Sequence, residues 1–511
     1  MRNPRILNFY ILFFIFNLNL IIQITPSPFY ESELKTNSNN SDSWGRIITP
    51  NDRIHNPTMR FKNENIYVAG KIDQMNWPYS YDTAIYLTKY DDTGVKLWEK
   101  IWDTPYEDEL EGFELDSEEN LYLLTITEPQ YPNDDPERIT LLKYSHSGEL
   151  LWTKILITGR YCYGYAINLD LNDVIYISGG AWNVSVGYDF LLKLNSSGDI
   201  LWNIHFNLQV RQLEIDLNNN VYFYGFIYPN SFMYKYNSSG SKLWSIDLGN
   251  RHFISSIKFD LNQNIILAGS KYYTNNDTNA MCISKYNNSG VFINEWEFSL
   301  LNYDWWDYGR TWINEDNFYV FIDYPFSPNS CLLKYNSTFH LDWNVSLSDY
   351  YVTPYYDLIM LAFDVDSQDN IFFFYNNPRG NYTSGISEEQ YHTEDISVLK
   401  LNSSGEVLSQ YFWGGSYHDE PTQIIIDPLN NIYLLCTSVY VDHWNIHRDQ
   451  IVLVKNPGIN GEPPQMGLIF GELDYYIFSL LGVTSLVSII FLISIIRPKL
   501  KSIRKMTKNP L

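Results

Sequence analysis

One stretch recurs along the chain with small changes: Leu141-Leu-Lys-Tyr-Ser-His-Ser-Gly-Glu-Leu-Leu-Trp152. Two clear copies are Leu191-Leu-Lys-Leu-Asn-Ser-Ser-Gly-Asp-Ile-Leu-Trp202 and Met233-Tyr-Lys-Tyr-Asn-Ser-Ser-Gly-Ser-Lys-Leu-Trp244. Its lysine occurs eight times, as Lys89, Lys143, Lys193, Lys235, Lys285, Lys334, Lys400 and Lys455. Because the copies follow one another at about 50 residues, we expect a repeat array that folds as one large domain.

A second stretch, an acidic turn followed by a short apolar run, lies between successive lysines. Examples are Asp216-Leu-Asn-Asn-Asn-Val-Tyr-Phe-Tyr224, Asp260-Leu-Asn-Gln-Asn-Ile-Ile-Leu-Ala268 and Asp427-Pro-Leu-Asn-Asn-Ile-Tyr-Leu-Leu435. Asp and Asn tolerate left-handed backbone and hydrogen-bond their own main chain, so these clusters predict tight turns. Each unit then has four strands: A before the Asp turn, B after it, C with the lysine and D with the tryptophan.

The last unit lacks a D strand, because the chain continues as Lys455-Asn-Pro-Gly. Near the other end, Trp44-Gly-Arg-Ile-Ile-Thr49 matches the D pattern. A strand supplied from the N-terminal side would close the array into a ring and remove its open edges. The sequence therefore predicts an all-β, eight-bladed β-propeller over residues 43–456, closed by an N-terminal strand.

The repeat resembles a known family. Residues 191–201 and 399–408, the latter followed by Trp413-Gly-Gly415 and an Asp turn, look like the SBBP β-propeller repeats of bacterial and archaeal surface proteins. The Ser-Gly-x-x-x-Trp portion also resembles the tryptophan-docking motif of quinoprotein-type propellers, in which the tryptophans pack between blades. That motif has Ala and Asp where this chain has Leu142 and Tyr144, and no adjacent cysteine pair occurs. The resemblance implies the fold and carries over no quinone cofactor.

The ends of the chain differ from the repeat in composition. Residues 1–25 combine Arg2 and Arg5 with an apolar run and predict a signal peptide, with an uncleaved N-terminal anchor as the alternative. Residues 26–42 and 457–474 are expected to be linkers. The uncharged residues 475–496 predict a transmembrane helix, and the basic tail 497–511 is expected to be cytoplasmic by the positive-inside rule.

The charge of the exported part argues against nucleic acid as a partner. The whole chain has 35 Lys+Arg and 59 Asp+Glu. Without Arg2, Arg5 and the six cations of the tail, 27 cations face the 59 acids, a net charge of −32. Such a surface repels phosphate backbones.

No motif of the common metalloprotease, redox, hydrolase or nucleotide-binding classes occurs, so no catalytic residue is assigned. The acidic stretches Glu107-Asp-Glu-Leu-Glu111 and His418-Asp419-Glu420 are expected to be solvated, with paired carboxylates for glycoside chemistry as the alternative. Asp216, Asn218 and Asn220, like their counterparts at 260–264, alternate as calcium ligands do. A plain turn uses the same spacing, so no metal or other cofactor is predicted, with calcium as the alternative.

Export makes the Asn-x-Ser/Thr sequons candidates for glycosylation. The candidates are Asn183, Asn195, Asn237, Asn276, Asn287, Asn336, Asn381 and Asn402, and further sequons occur at Asn39 and Asn344. Five of these sequons lie in the expected C–D turn, where asparagine also favours the turn conformation: Asn195, Asn237, Asn287, Asn336 and Asn402.

The longest connections, B–C and D–A, should emerge together on one face, here called the loop face; the A–B and C–D turns form the opposite short-turn face. Exposed aromatic side chains suit sugars or protein partners. The predicted binding residues of the loop face are Trp77, Tyr79, Trp305, Trp306, Tyr355 and Tyr356. Since both chain ends leave from the short-turn face, the loop face should point away from the membrane.

We therefore expect a membrane-anchored, non-catalytic binding or adhesion module for an extracellular protein or glycan. The alternatives are an exported enzyme with a site at the central channel and a structural component of the cell envelope.

Overall fold

The computed structural model describes residues 33–34, 44–48, 54–74, 82–129, 135–183, 187–227, 229–250, 252–273, 278–300, 309–314, 317–322, 331–347, 361–378, 394–413, 419–441 and 447–456. These residues form eight antiparallel sheets of strands and turns. The prediction of an all-β, eight-bladed β-propeller is confirmed.

Seven sheets each consist of four consecutive strands in the order A, B, C, D. The strands of blades 1 to 4 are β3 (Ile54–Lys62), β4 (Asn65–Gln74), β5 (Asp82–Asp91), β6 (Lys96–Trp102); β7 (Glu107–Leu115), β8 (Leu121–Glu128), β9 (Glu137–Tyr144), β10 (Leu150–Gly159); β11 (Tyr161–Leu169), β12 (Ile175–Trp182), β13 (Gly187–Leu194), β14 (Ile200–Phe206); β15 (Gln209–Ile215), β16 (Val221–Ile227), β17 (Asn230–Tyr236), β18 (Lys242–Asn250).

The strands of blades 5 to 7 are β19 (His252–Phe259), β20 (Ile265–Tyr273), β21 (Thr278–Tyr286), β22 (Phe292–Leu300); β23 (Gly309–Asn314), β24 (Asn317–Ile322), β25 (Cys331–Tyr335), β26 (Leu341–Ser346); β27 (Leu361–Val365), β28 (Ile371–Pro378), β29 (Glu394–Leu401), β30 (Val407–Trp413).

Blade 8 combines strands from both sides of the repeat. Its strands are β31 (Asp419–Ile426), β32 (Ile432–Val441), β33 (His447–Lys455), β2 (Trp44–Ile47) and β1 (Glu33–Leu34). Trp44 lies opposite Lys455 in the β2–β33 ladder. The two-residue strand β1 lies within the segment that the sequence assigns to a linker, and it pairs with β2 at the outer edge.

The core is divided among the spaces between blades. Strand B is buried on both faces, as in β8, because each sheet packs against a neighbour on either side. Eight hydrophobic clusters fill the eight spaces, and the cluster between blades 8 and 1 includes Trp44, Ile66 and Leu453. Strand D, at the periphery, alternates exposed and half-buried residues instead.

The A strands surround the central axis. Contacts join the A strands of blades 1, 2, 3, 4 and 5 in turn, and those of blades 7, 8 and 1. Gln423 of blade 8 accepts from the Met59 backbone N–H of blade 1 at 2.8 Å and donates to the Met59 carbonyl at 3.2 Å.

The repeated lysine lies in the middle of a rung across strands B, C and D. In blade 4, Lys235 lies opposite Tyr222 on one side and Trp244 on the other, with Nζ 4.8 Å from the Tyr222 ring centre. Blades 1, 2, 3, 6 and 8 have the same Tyr–Lys–Trp rung. Blade 5 departs from it, since Lys285 faces Ile266 and Asn294.

The lysine and tryptophan also join each blade to the next. Lys235 Nζ and Trp244 Nε1 both donate to the Asn288 carbonyl in the C–D turn of blade 5, at 3.2 and 3.3 Å. Gly290 of that turn has φ +82°, and a Cβ there would lie 3.2 Å from the Trp244 ring. The Lys, Gly and Trp of the repeated stretch thus serve one junction between neighbouring blades.

Within the described residues, no helix is long and apolar enough to cross a membrane. The predicted segments 1–25 and 475–496 lie outside those residues. The four cysteines all lie in the described residues and form no disulfide bond; Cys162, Cys282 and Cys436 are buried, and Cys331 is half-buried.

Candidate functional site

The predicted binding residues of the loop face lie outside the described residues: Trp77, Tyr79, Trp305, Trp306, Tyr355 and Tyr356. They therefore remain a prediction. The sequons at Asn276 and Asn381 also lie outside the described part of the chain.

The other candidate sequons fall where the repeat places them. In the C–D turn of blade 3, the Asn195 Oδ1 accepts the backbone N–H groups of Ser197 and Asp199 at 3.0 and 2.9 Å. The same two hydrogen bonds form in the turns of Asn237, Asn287, Asn336 and Asn402. Asn183 is exposed on the loop face. Glycosylation of any of them stays a prediction.

The Asp turns have a structural use. Asp216 Oδ1 accepts the backbone N–H groups of Asn218 and Asn220 at 2.9 Å, and Oδ2 accepts from the Asn220 amide and the Tyr222 hydroxyl at 2.8 and 3.0 Å. Burial opposes the charge, but these hydrogen bonds hold the pKa of Asp216 below its usual value. Donors thus occupy both oxygens, and no group of three metal-ligating side chains occurs among the described residues.

Blade 1 lacks an Asp turn, because its A and B strands meet in a short turn at Asn63 and Glu64. Glu119 of blade 2 supplies the missing carboxylate. Its Oε2 accepts from the Tyr67 hydroxyl at 2.5 Å and lies 3.3 Å from Lys89 Nζ.

The acidic stretch 107–111 divides into residues of different environments. Asp108 is buried and accepts from the Thr104 backbone N–H and hydroxyl, at 2.7 and 3.0 Å, and from the Thr127 hydroxyl at 2.9 Å. Burial nevertheless raises the pKa of Asp108 to about 6. This carboxyl fixes the entry into β7. In the second stretch, Asp419 is buried at the start of β31 and His418 lies outside the described residues.

Glu111 is the residue that β7 adds as a β-bulge between Leu110 and Gly112. Bulges re-aim side chains, and here Glu111 lies over the backbone of β11, where a Cβ on Gly164 would be 3.0 Å from the Glu111 Cγ. Burial, with Glu109 and Glu128 nearby, raises the pKa of Glu111 to about 7, while Lys71 opposes the shift.

Glu128 and Glu137, at the loop-face ends of β8 and β9, complete an acidic group with Glu109 and Glu111. Burial and then the Glu137 charge raise the pKa of Glu128. Burial also raises the pKa of Glu137, although its Oε2 accepts the Cys162 backbone N–H at 2.6 Å. Lys71 lies 2.6 Å from Glu109 Oε1.

Aromatic side chains lie beside these acids on blade 3. Tyr161 and Tyr163 of β11 are 49% and 42% exposed, and Trp182 packs edge-on against Tyr163 with ring centres 5.3 Å apart. Burial and then Glu137 and Glu128 raise the pKa of Tyr163, which places its hydroxyl in the field of those acids. Arg211 of blade 4 lies 5.3 Å from the Tyr165 ring centre.

We define the acidic–aromatic cluster as Glu109, Glu111, Glu128, Glu137, Tyr161, Tyr163 and Trp182. It combines the exposed rings of Tyr161 and Tyr163 with three carboxyl groups, Glu111, Glu128 and Glu137, whose pKa values burial raises. A carboxyl protonated near neutral pH donates a hydrogen bond as well as accepting one. Together these groups suit a polar ligand with hydroxyl groups.

Sequence reasoning reached this cluster only in part. The sequence predicts that the acidic stretch 107–111 is solvated, and no motif singles out Tyr163 or Trp182. The available signal was Leu110-Glu-Gly-Phe113, where a glutamate interrupts the strand alternation next to a glycine. That pattern marks a bulge.

At the opposite end of the central channel, on the short-turn face, a cavity of about 330 Å³ opens among blades 1 to 4. Its lining includes Lys62, Glu114, Asp173 and Glu214. Two of these acids are paired, Glu114 with Arg60 at 2.8 Å and Glu214 with Lys258. These two ion pairs reduce the number of charged groups that the cavity can offer a ligand.

No protein-family model and no curated protein matches the chain. Solved structures with a similar fold include a eukaryotic initiation factor, with 11% identity over 83% of this chain and 92% of that chain and a TM-score of 0.45. The β-propeller domain of the Trilobed protease from Pyrococcus furiosus has 8% identity over 68% and 93%, with a TM-score of 0.39. A virginiamycin B lyase from Staphylococcus aureus has 10% identity over 83% and 98%, with a TM-score of 0.34. At these values, none of them assigns an activity to this chain.

Proposed function

We propose that this chain is an exported β-propeller of the SBBP repeat type, anchored in a membrane by residues 475–496, that binds an extracellular glycan or protein on its loop face. The observation that carries the binding role is the acidic–aromatic cluster. Its exposed tyrosines provide contact area at a low cost in side-chain entropy, and its acids provide hydrogen bonds.

A glycan is the ligand that the cluster favours. Sugars present apolar C–H faces beside hydroxyl groups, so they match ring faces flanked by carboxyls. Tyr163 with Trp182 supplies the first element, and Glu111 and Glu137 supply the second. The predicted aromatic loop residues would extend the same face.

The binding test uses detergent-solubilised full-length protein on arrays of glycans and of extracellular proteins. Tyr163→Ala and Trp182→Ala are expected to weaken binding by about tenfold or more, as aromatic anchors do. The matched control is Tyr273→Ala, a tyrosine of blade 5 with similar exposure, 39%. If both cluster variants bind as well as the wild type while Trp305→Ala or Trp306→Ala loses binding, the binding site lies in the loops and not in the cluster.

The anchoring has its own test. Protease added to intact cells should degrade residues 43–456 and spare the basic tail. Survival of the propeller under that treatment would contradict the proposed topology.

One observation favours a second candidate, an exported glycoside-cleaving enzyme. A general acid must be protonated at working pH, and Glu111 has a pKa of about 7 beside other carboxylates. Hydrolysis of a glycan on the array that Glu111→Gln abolishes, with binding retained, would select the enzyme. Binding by wild-type protein without hydrolysis would select the binding module.

A further inference from the structure

Leucines project from four turns on the short-turn face. Leu171, Leu217, Leu261 and Leu429 are 75%, 66%, 69% and 76% exposed. Each belongs to an A–B turn whose aspartate is buried. The turn conformation does not require leucine, because serine follows the turn aspartate in blades 2 and 7, at Ser117 and Ser367.

A second apolar set lies further out on the same face, at the start of the D strands. Blades 2 to 5 expose Leu150, Leu151, Ile200, Leu201, Leu243, Val291 and Phe292 there, each by 47–60%. These residues follow the C–D turns directly. Blades 3, 4 and 5 therefore have apolar side chains both near the axis and near the rim of this face.

Two sets of contacts show that the last strand of the propeller, β33, ends at the short-turn face. Strand β33 ends at Lys455, whose Nζ donates to the Asp92 carbonyl in the C–D turn of blade 1 at 3.0 Å. The Tyr122 hydroxyl lies 3.3 Å from both Asp116 Oδ2 in an A–B turn and the Ser196 carbonyl in a C–D turn, so both kinds of turn share the face.

The linker to the apolar segment is short. The predicted linker, residues 457–474, contains glycines and prolines, and a random coil of 18 residues spans roughly 23 Å on average. A propeller tethered by that length at its short-turn face stays within reach of the surface that holds residues 475–496. The bilayer is then an apolar phase within reach of the exposed leucines.

We propose that the short-turn face rests on the outer surface of the bilayer, with Leu171, Leu217 and Leu261 entering the interfacial region. This inference rests on the proposed membrane anchoring. Burial of apolar turn residues between headgroups is favourable, as for interfacial segments generally. The loop face, with the acidic–aromatic cluster, is thereby held outward.

The charges of this face select the lipid. Glu118 is exposed in the A–B turn of blade 2 and Asp173 lies in the turn of Leu171, and these carboxylates repel anionic headgroups. A zwitterionic surface is therefore the expected partner, and a surface rich in anionic lipid should hold the face less closely at low salt.

The test places an environment-sensitive fluorophore on full-length protein in phosphatidylcholine vesicles. Cys331→Ser removes the half-buried thiol, and Leu217→Cys or Leu261→Cys then provides the label site. The control is Asn183→Cys on the exposed loop face. Brominated lipid is expected to quench positions 217 and 261 several-fold more than position 183, and anionic lipid should reduce that difference.

Resistance to alkaline extraction shows that the protein is anchored in the vesicles. If such protein shows equal, weak quenching at positions 217 and 183, the proposal is overturned and the anchoring stands. Protein that alkaline extraction removes from the vesicles would instead refute the anchoring. A second copy of the chain is the other possible cover for this face. The fluorophore at position 217 would then be shielded from water but not quenched by brominated lipid, and the shielding would disappear at one protein per nanodisc. That result would also overturn the proposal.

Discussion

Trp44 and Lys455 lie opposite each other on neighbouring strands, and both donate to the carbonyl oxygen of Asp92, at 2.9 and 3.0 Å. The same junction joins blades 3 and 4, where Lys193 and Trp202 share the Ser238 carbonyl at 2.7 and 3.2 Å. Although 411 positions separate Trp44 from Lys455 in the chain, their contact with blade 1 repeats the contact between consecutive blades.

Trp44→Ala should therefore destabilise the propeller by about 3–5 kcal/mol, the usual cost of truncating a large buried aromatic side chain. Urea unfolding measures the loss. Trp98→Ala is the matched control at an ordinary junction, since Trp98 donates to the His146 carbonyl at 3.0 Å. If Trp44→Ala unfolds at the wild-type urea concentration while Trp98→Ala is clearly less stable, the stability of blade 8 does not depend on β2.

Lys235→Met should cost roughly 3–5 kcal/mol, because it leaves the buried Asp216 carboxylate without its cation. Burial lowers the pKa of Lys235 and Asp216 opposes that shift, so the pair is poorly solvated. Lys154→Met is the comparison, since the Lys154–Asp199 pair at 2.7 Å lies at the surface, where solvent screens the attraction, and its loss should cost much less. Equal losses in the two variants would contradict a special role for the buried pair.

Gly148→Ala should be more harmful than Gly249→Ala. Both glycines have positive φ, +81° and +90°, so both substitutions pay a similar backbone strain of about 1–2 kcal/mol. A Cβ on Gly148 would also lie 2.8 Å from the Trp98 ring, whereas nothing lies within 4 Å of one on Gly249. The difference between their unfolding free energies measures the docking of the tryptophan, and a difference near zero would argue against it.

Glu111→Gln should flatten the pH dependence of stability. The folded-state pKa of about 7 lies above the ordinary value of 4.5, so the folded protein binds more protons than the unfolded chain between those pH values. Wild-type stability should therefore fall as the pH rises towards about 7. The variant should gain roughly 2 kcal/mol relative to wild type near pH 8. Parallel melting-temperature curves from about pH 5 to about pH 8 would refute the raised pKa.

The strand pattern of the sequence was sufficient for the blade count, because the lysine and Asp-turn stretches each mark a local element with its own turn chemistry. It did not reveal that blade 1 takes its carboxylate from Glu119, since that contact joins residues of different blades. Nor did it show that Trp296 of blade 5 lies outside the Tyr–Lys–Trp rung. In the structure Trp296 lies two residues beyond the position facing Lys285, and it packs 4.6 Å from the Tyr335 ring.

The sequence by itself determined the four-strand repeat, its eight copies and the likeness of Trp44 to the D strand, because turns and alternating apolar residues are local properties. Only the tertiary structure decided which groups meet between blades. The shared carbonyl of Asp92, the bulge that turns Glu111 towards β11 and the tyrosines beside it all depend on the distance between neighbouring sheets. Side chains from separate repeats become neighbours only when the sheets pack around a common axis, and burial then sets their charges.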